Sequence, residues 1–274
     1  LLEKDADVNQ TKRKCCWDTG QTPLYIACAY GHVDVARLLL KRGADINRAK
    51  KGGDTPLSIA CYKGHIDAVR LLLDEGAEVD RATKDGQTPL YAACVGGQVD
   101  AARLLLERGA DVHKATNQNR TPLHAASYQG HIDVVRLLLA NGADADIDRE
   151  DEHGDTPLAD AESKQHSDIV ALLEEQLDSK FPLHAAAKTG DVGTMTQLLD
   201  GGASVDQDRG DGWTPVFVAC EDGHVDVSHL VTRLHVPAKI SQQNSTDGVA
   251  SYSHDIAEDL RNRIRRQVNV LYGL

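Results

Sequence analysis

A tetrapeptide, Thr-Pro-Leu-Xaa, returns along this chain at a constant interval. It stands at Thr22-Pro23-Leu24-Tyr25, Thr55-Pro56-Leu57-Ser58, Thr88-Pro89-Leu90-Tyr91 and Thr121-Pro122-Leu123-His124, each 33 residues after the last. An interval of that length requires stacked copies of one small unit, each touching only its neighbours. The number of copies then sets the chain length, and 274 residues need not mean one or two globular cores. Only 4% of the residues are aromatic, which suits a thin stack filled by Leu, Ala and Val. In such an architecture function resides on a surface.

One unit can be built from its own residues. Gly53 supplies a turn with positive φ, and the matching slot holds Gly20, Gly86, Asn119, Gly154 and Gly212. Asn is the usual non-glycine residue that tolerates this conformation. Thr55 is suited to cap a helix, and Pro56 fits its first position, where a missing N–H costs nothing. A short first helix follows and ends at Gly64. His65-Ile66-Asp67 opens a second helix, which turns Val69 and Leu71-Leu72-Leu73 inward and stops at Gly76. Ala77-Glu78-Val79-Asp80 then runs extended into the next turn.

The spacing T-P-L-x-x-A-A/C-x-x-G-H-x-x-x-V-x-x-L-L-x-x-G-A-D-x-N resembles the ankyrin repeat, over roughly residues 1–234. The resemblance implies an all-α solenoid of paired antiparallel helices with β-hairpin fingers. About seven repeats are expected, plus a partial N-terminal one. It also implies a concave protein-binding face. The partial unit is 1–10, the array 20–234, a Ser-, Gln- and Asn-rich linker 235–252, and a helical tail 253–274. About five extra residues between Thr11 and Trp17 lengthen the first finger. Phe181-Pro182-Leu183-His184 follows Thr156-Pro157-Leu158 after only 25 residues, so a finger is missing near 174–181. There the stack either continues with a kink or breaks. Asp160, Glu162, Gln165 and Glu174 give the preceding unit the polar character of a cap.

The remaining chemistry is sparse. Cys28, Cys61, Cys94 and Cys220 share one small slot in the first helix, expected to be buried, and neighbouring units stack too far apart for disulfides. Cys15-Cys16 lie beside Lys12-Arg13-Lys14 in the lengthened finger, where basic neighbours favour the thiolate. The histidines repeat in scaffold positions. His32, His65, His131, His166 and His224 open second helices, while the resemblance implies that His124 and His184 bond back toward the repeat Thr. No metal-ligand spacing, nucleophile constellation or phosphate-cradling loop stands out. Neither an enzyme nor a cofactor is expected. A net charge of −12 argues against nucleic acid, and no run of apolar residues is long enough for a membrane span. The chain opens on Leu1-Leu2-Glu3 and reads as a piece of a longer protein. Unpaired cysteines suit an intracellular compartment, cytoplasmic or nuclear, and a monomer is expected.

The expected function is a scaffold or adaptor that binds a protein through the groove and finger tips. The alternative is a regulatory or targeting arm of a larger enzyme or channel. In the ankyrin family the two residues before the helix-ending Gly line the groove, which implies Tyr30, Tyr62, Lys63, Tyr128 and Gln129. The residue before each repeat Thr adds Gln21, Gln87, Arg120 and Trp213. Tyrosine offers wide contact area with a polar tip. Lys50 and Lys51 belong to a run of basic fingers, against acidic ones at Asp146–Asp155 and Asp206–Asp211. This asymmetry predicts an acidic or phosphorylated ligand segment for the N-terminal half and a basic one for the C-terminal half.

Overall fold

The structure is a computed structural model and describes residues 7–11, 20–207, 209, 213–224 and 226–227. The start of the half repeat, Cys15-Cys16, Gly212, the linker 235–252 and the tail 253–274 lie outside these residues.

Packing divides the chain into two compact units, Leu1–Leu177 and Asp178–Leu274. In the first, the inner row of helices is α1 (Pro23–Ala29), α3 (Pro56–Lys63), α5 (Pro89–Val95), α7 (Pro122–Gln129) and α9 (Pro157–Ser163). The outer row is α2 (Val33–Lys41), α4 (Ile66–Asp74), α6 (Val99–Glu107) and α8 (Ile132–Leu139), and α10 (Ser167–Lys180) follows α9. Each inner helix packs on the next inner helix, and α2, α4, α6 and α8 form a parallel row behind. The second unit holds α11 (Pro182–Thr189), α12 (Val192–Asp200) and α13 (Pro215–Glu221).

The local chemistry of the repeat appears as designed by its residues. The side chains of Thr22, Thr55 and Thr88 each accept the N–H three residues on at 3.1 Å, closing the first turn of α1, α3 and α5. Pro occupies the first turn in every one of these helices. Thr121 gains a reciprocal partner, because its backbone N–H donates to His124 Nδ1 at 3.1 Å. The turn slot has positive φ at Gly53 (94°), Gly86 (83°) and Asn119 (59°). Leu24, Leu57, Leu90 and Leu123 occupy one slot and are fully buried. Cutting any of them to Ala should cost about 2–5 kcal/mol.

The segments between repeats, expected to run extended, turn instead, as where Arg81 N donates to Glu78 O at 3.3 Å, and side chains tie them together. Asn9 Oδ1 accepts from Asp45 N at 2.8 Å, Asn47 Oδ1 from Glu78 N at 3.1 Å, and Asp80 Oδ2 from Asp111 N at 3.2 Å. The expected β-hairpin fingers are, in the described residues, hydrogen-bonded turns without strands. Lys50 N donates to Asp54 O and Gly53 N to Lys50 O, closing a five-residue loop. Neighbouring finger tips share one backbone bond, such as Lys84 N to Gly52 O at 3.2 Å. One bond per pair is too few for a ladder.

Near 174–181 the helix α10 runs unbroken for 14 residues in place of a finger. The chain leaves it at Phe181, which stands where other repeats have Thr and lies edge-on to the His184 ring at 5.5 Å. His184 therefore has no repeat Thr to bond, and its Nε2 is 2.9 Å from Trp213 O. Two further expectations need correction. Cys220 is exposed, whereas Cys28, Cys61 and Cys94 are buried free thiols. Asp160 is buried and paired with Arg120 rather than forming part of a solvated cap.

Candidate functional site: a recess between two tyrosines

Within the first unit, the inner helices α3, α5 and α7 and their fingers surround an open recess of about 630 Å³. Of the residues singled out in the sequence, Lys50, Tyr62, Gln87, Arg120, Tyr128 and Gln129 line it. Tyr62 and Tyr128 stand two repeats apart in the same slot, and both are exposed. The repeat between them offers only Val95 and Gly96 in the corresponding slots, and Ala92 and Val95 lie in the recess wall. Gly96 also admits a close approach of backbones. A Cβ there would lie 2.3 Å from the Tyr62 carbonyl oxygen.

Arg120 is the electrostatic centre of this site. Its guanidinium donates to Asp151 Oδ2 and to Asp160 Oδ2, both at 2.6 Å. The Arg120 side chain is only 18% exposed, and those of Asp151 and Asp160 are 0% and 4%. Burial opposes the charge on Arg120, but Asp160, Tyr91 and Asp151 outweigh it and raise its pKa. Burial pushes Asp160 up to about 6 against the pull of Arg120. Asp151 goes the other way. Burial raises it, but the N–H groups of His153 and Asp155 together with Arg120 hold its carboxyl below the usual range. Burial also lowers His124 to about 4.

The other cations are engaged as well. Lys50 Nζ is 3.2 Å from Asp54 and 5.7 Å from the Tyr25 ring centre. Tyr128 has Lys164 Nζ at 4.3 Å and Arg120 at 5.5 Å from its ring centre. Lys63 lies outside the recess, its Nζ 5.1 Å from the Tyr62 ring.

The remaining sequence candidates are placed elsewhere. Tyr30 is 67% exposed and stacks on His32 at 6.1 Å. Gln21 lines a separate hollow with Pro23, Ile26 and Val35. Lys51 is exposed on its finger. Trp213 belongs to the second unit, partly buried with its ring edge-on to Phe217 at 4.5 Å. Tyr25 and Tyr91 are buried, so their slot serves the core. Sequence reasoning missed Gln118 in the recess wall, Lys164 over Tyr128, and the Asp151–Arg120–Asp160 clamp. The signal for the clamp was available. Asp160 takes a slot held elsewhere by Ile26, Ile59, Ala92 and Ala125, and a carboxylate there needs a cation.

Among the described residues no helix is long and apolar enough to cross a membrane, and no three His, Cys, Asp or Glu side chains gather as metal ligands. Comparison with known proteins finds short matches to curated relatives, two of them from Mus musculus. A 54-residue stretch is 52% identical to 2-5A-dependent ribonuclease of Mus musculus, covering 19% of this chain and 7% of that protein. A 53-residue stretch is 42% identical to Protein phosphatase 1 regulatory subunit 27 of Mus musculus, covering 19% of this chain and 31% of that protein. The chain therefore matches less than a third of either relative. A family pattern described as "Ankyrin repeats (3 copies)" matches residues 47–116, 113–181 and 174–244, and one described as "Ankyrin repeat" matches 19–51. With most of its length matched and its helices paired and capped in this register, the chain belongs to the ankyrin repeat family.

Proposed function

We propose that this chain is a non-catalytic protein-interaction module, and that its partner docks in the recess between Tyr62 and Tyr128. The observation that carries this reading is the pair of exposed tyrosines flanking a recess in which the intervening repeat places the smaller Val95 in the tyrosine slot. Large aromatic side chains around a concavity are the usual anchors of protein interfaces. Tyr30 and Lys51 extend the same functional face in this reading, while Trp213 would serve the second unit alone. The buried free thiols suit a reducing, intracellular setting.

The test is a cross-linking pull-down from cell lysate with the parent chain and a Tyr62→Ala/Tyr128→Ala variant of matched thermal stability. A partner held by the parent and lost by the variant is expected. Identical partners on both would place binding elsewhere. A second reading, a regulatory or targeting arm of a larger enzyme or channel, is favoured by the names of the two relatives, a phosphatase regulatory subunit and a ribonuclease. The reading frame upstream of Leu1 distinguishes the two: a catalytic or channel domain supports the arm, and further interaction repeats support the adaptor.

A further inference from the structure

We propose that the recess takes an uncharged, extended polypeptide segment anchored by one apolar or aromatic side chain seated between Tyr62 and Tyr128. This rests on the groove reading above and replaces the acidic ligand that basic fingers alone suggest.

The argument is one of charge complementarity. Each charged side chain that lines the recess is already neutralised within the chain. Lys50 is paired with Asp54, and Arg120 holds two carboxylates at 2.6 Å. An acidic ligand would have to draw Arg120 away from Asp151 and Asp160. That would leave two buried carboxylates without a counter-charge, a costly exchange. A cationic ligand meets the same obstacle from the opposite side, since the carboxylates are already occupied. Lys164 and Arg120 already lie over the Tyr128 ring, and their charge repels a further cation there.

What the recess still offers is neutral. Among the described residues, the side-chain amides of Gln87 and Gln129 have no hydrogen-bond partner in the chain, and each presents a donor and an acceptor. That pairing suits the alternating N–H and C=O of an extended backbone. Ala92 and Val95 supply an apolar bed where neighbouring repeats raise Tyr62 and Tyr128. Gly96 brings the end of α5 against the Tyr62 carbonyl beside this bed. A single large apolar side chain gains most from such a notch.

The probe is an array of synthetic ten-residue peptides in four sets: neutral with a central Phe, Leu or Trp, acidic, phosphoserine-containing, and basic. The full chain is applied, alongside Val95→Glu, Gln87→Ala/Gln129→Ala and Tyr62→Ala/Tyr128→Ala variants. The expected result is at least a tenfold preference for the neutral, apolar-centred set. That binding should fall at least tenfold with Val95→Glu and severalfold with the glutamine pair. Should Val95→Glu fail to fold, the surface glutamine pair carries the test. Tighter binding of acidic, phosphoserine or basic peptides, abolished by the tyrosine pair, would overturn this ligand chemistry and leave the groove standing. Equal binding by parent and tyrosine variant, or no binding by any set, would overturn both.

Discussion

The junction between α7 and α9 and the junction between α3 and α5 are built from the same repeat yet are fastened differently. At the first, His166 Nε2 reaches back to Tyr128 O at 3.2 Å, and Arg120 spans to Asp160. His65 and His131 make the same reach to Ala29 O at 3.2 Å and Val95 O at 3.3 Å. At the α3–α5 junction that slot holds Gln98, whose amide turns to Gly96 O of its own repeat at 2.7 Å. No imidazole crosses to the Tyr62 carbonyl, and the bare Cα of Gly96 packs against it instead. One junction is held by polar side chains and the other by close backbone contact. The difference locates the recess, because room for a ligand opens where a repeat carries smaller side chains.

The largest perturbation of this contrast is Arg120→Gln. It strands Asp151 and Asp160, and should destabilise the chain by about 3–5 kcal/mol in urea unfolding. A loss below about 1 kcal/mol would mean the clamp is not needed. Gly96→Ala comes next. Its methyl group meets the Tyr62 carbonyl and should cost about 1–3 kcal/mol through forced separation of α3 and α5. An unchanged midpoint would show that the backbones are not in close contact. His166→Ala should cost about 0.5–1.5 kcal/mol, the worth of one bond. Gln98→Ala should cost less, since its amide packs on Gly64 across the junction but donates only within its own repeat. Equal costs for the two would erase the comparison.

The smallest effect is in pH. Asp160 has a folded pKa of about 6, above its unfolded value near 3.9, so its contribution to stability is present at low pH and lost as pH rises through 6. His124, folded pKa about 4 against about 6.5 unfolded, contributes stability above pH 6.5 that is lost as pH falls toward 4. The two oppose each other between about pH 4 and 6.5. Asp160→Asn removes the compensating term. Its melting temperature should therefore fall more steeply from pH 7 to 5 than that of the parent. Parallel slopes would rule this out.

Much of this was legible in the residues. Thr-Pro at helix starts, Gly or Asn119 at positive φ, and the column of buried Leu follow from local chemistry repeated at a fixed interval. Six of the eleven nominated groove residues line one recess. Asp160 in an apolar slot signalled a need for a cation but not which one, because Asp151 and Asp160 lie 31 and 40 residues from Arg120. Only side-chain placement shows that a polar residue in a weakened repeat reaches into its neighbour. The pairing of finger charges was likewise hidden: sequence counts charges, while Lys50 pairs with Asp54 and Arg81 with Glu78 at 2.9 Å. Among the described residues the fingers kept their turns but formed no strands, since each touches its neighbour through one backbone bond.

The column of cysteines has a use beyond packing. Cys28, Cys61 and Cys94 sit in three successive repeats, all sealed, with burial pushing the Cys28 thiol up to about 12. An alkylating reagent can reach each only when that repeat opens, whereas Cys220 stands open at once. The rate at which each thiol acquires its label is thus a clock on the fraying of its own repeat, so peptide mapping after timed pulses would give the order in which the array comes apart.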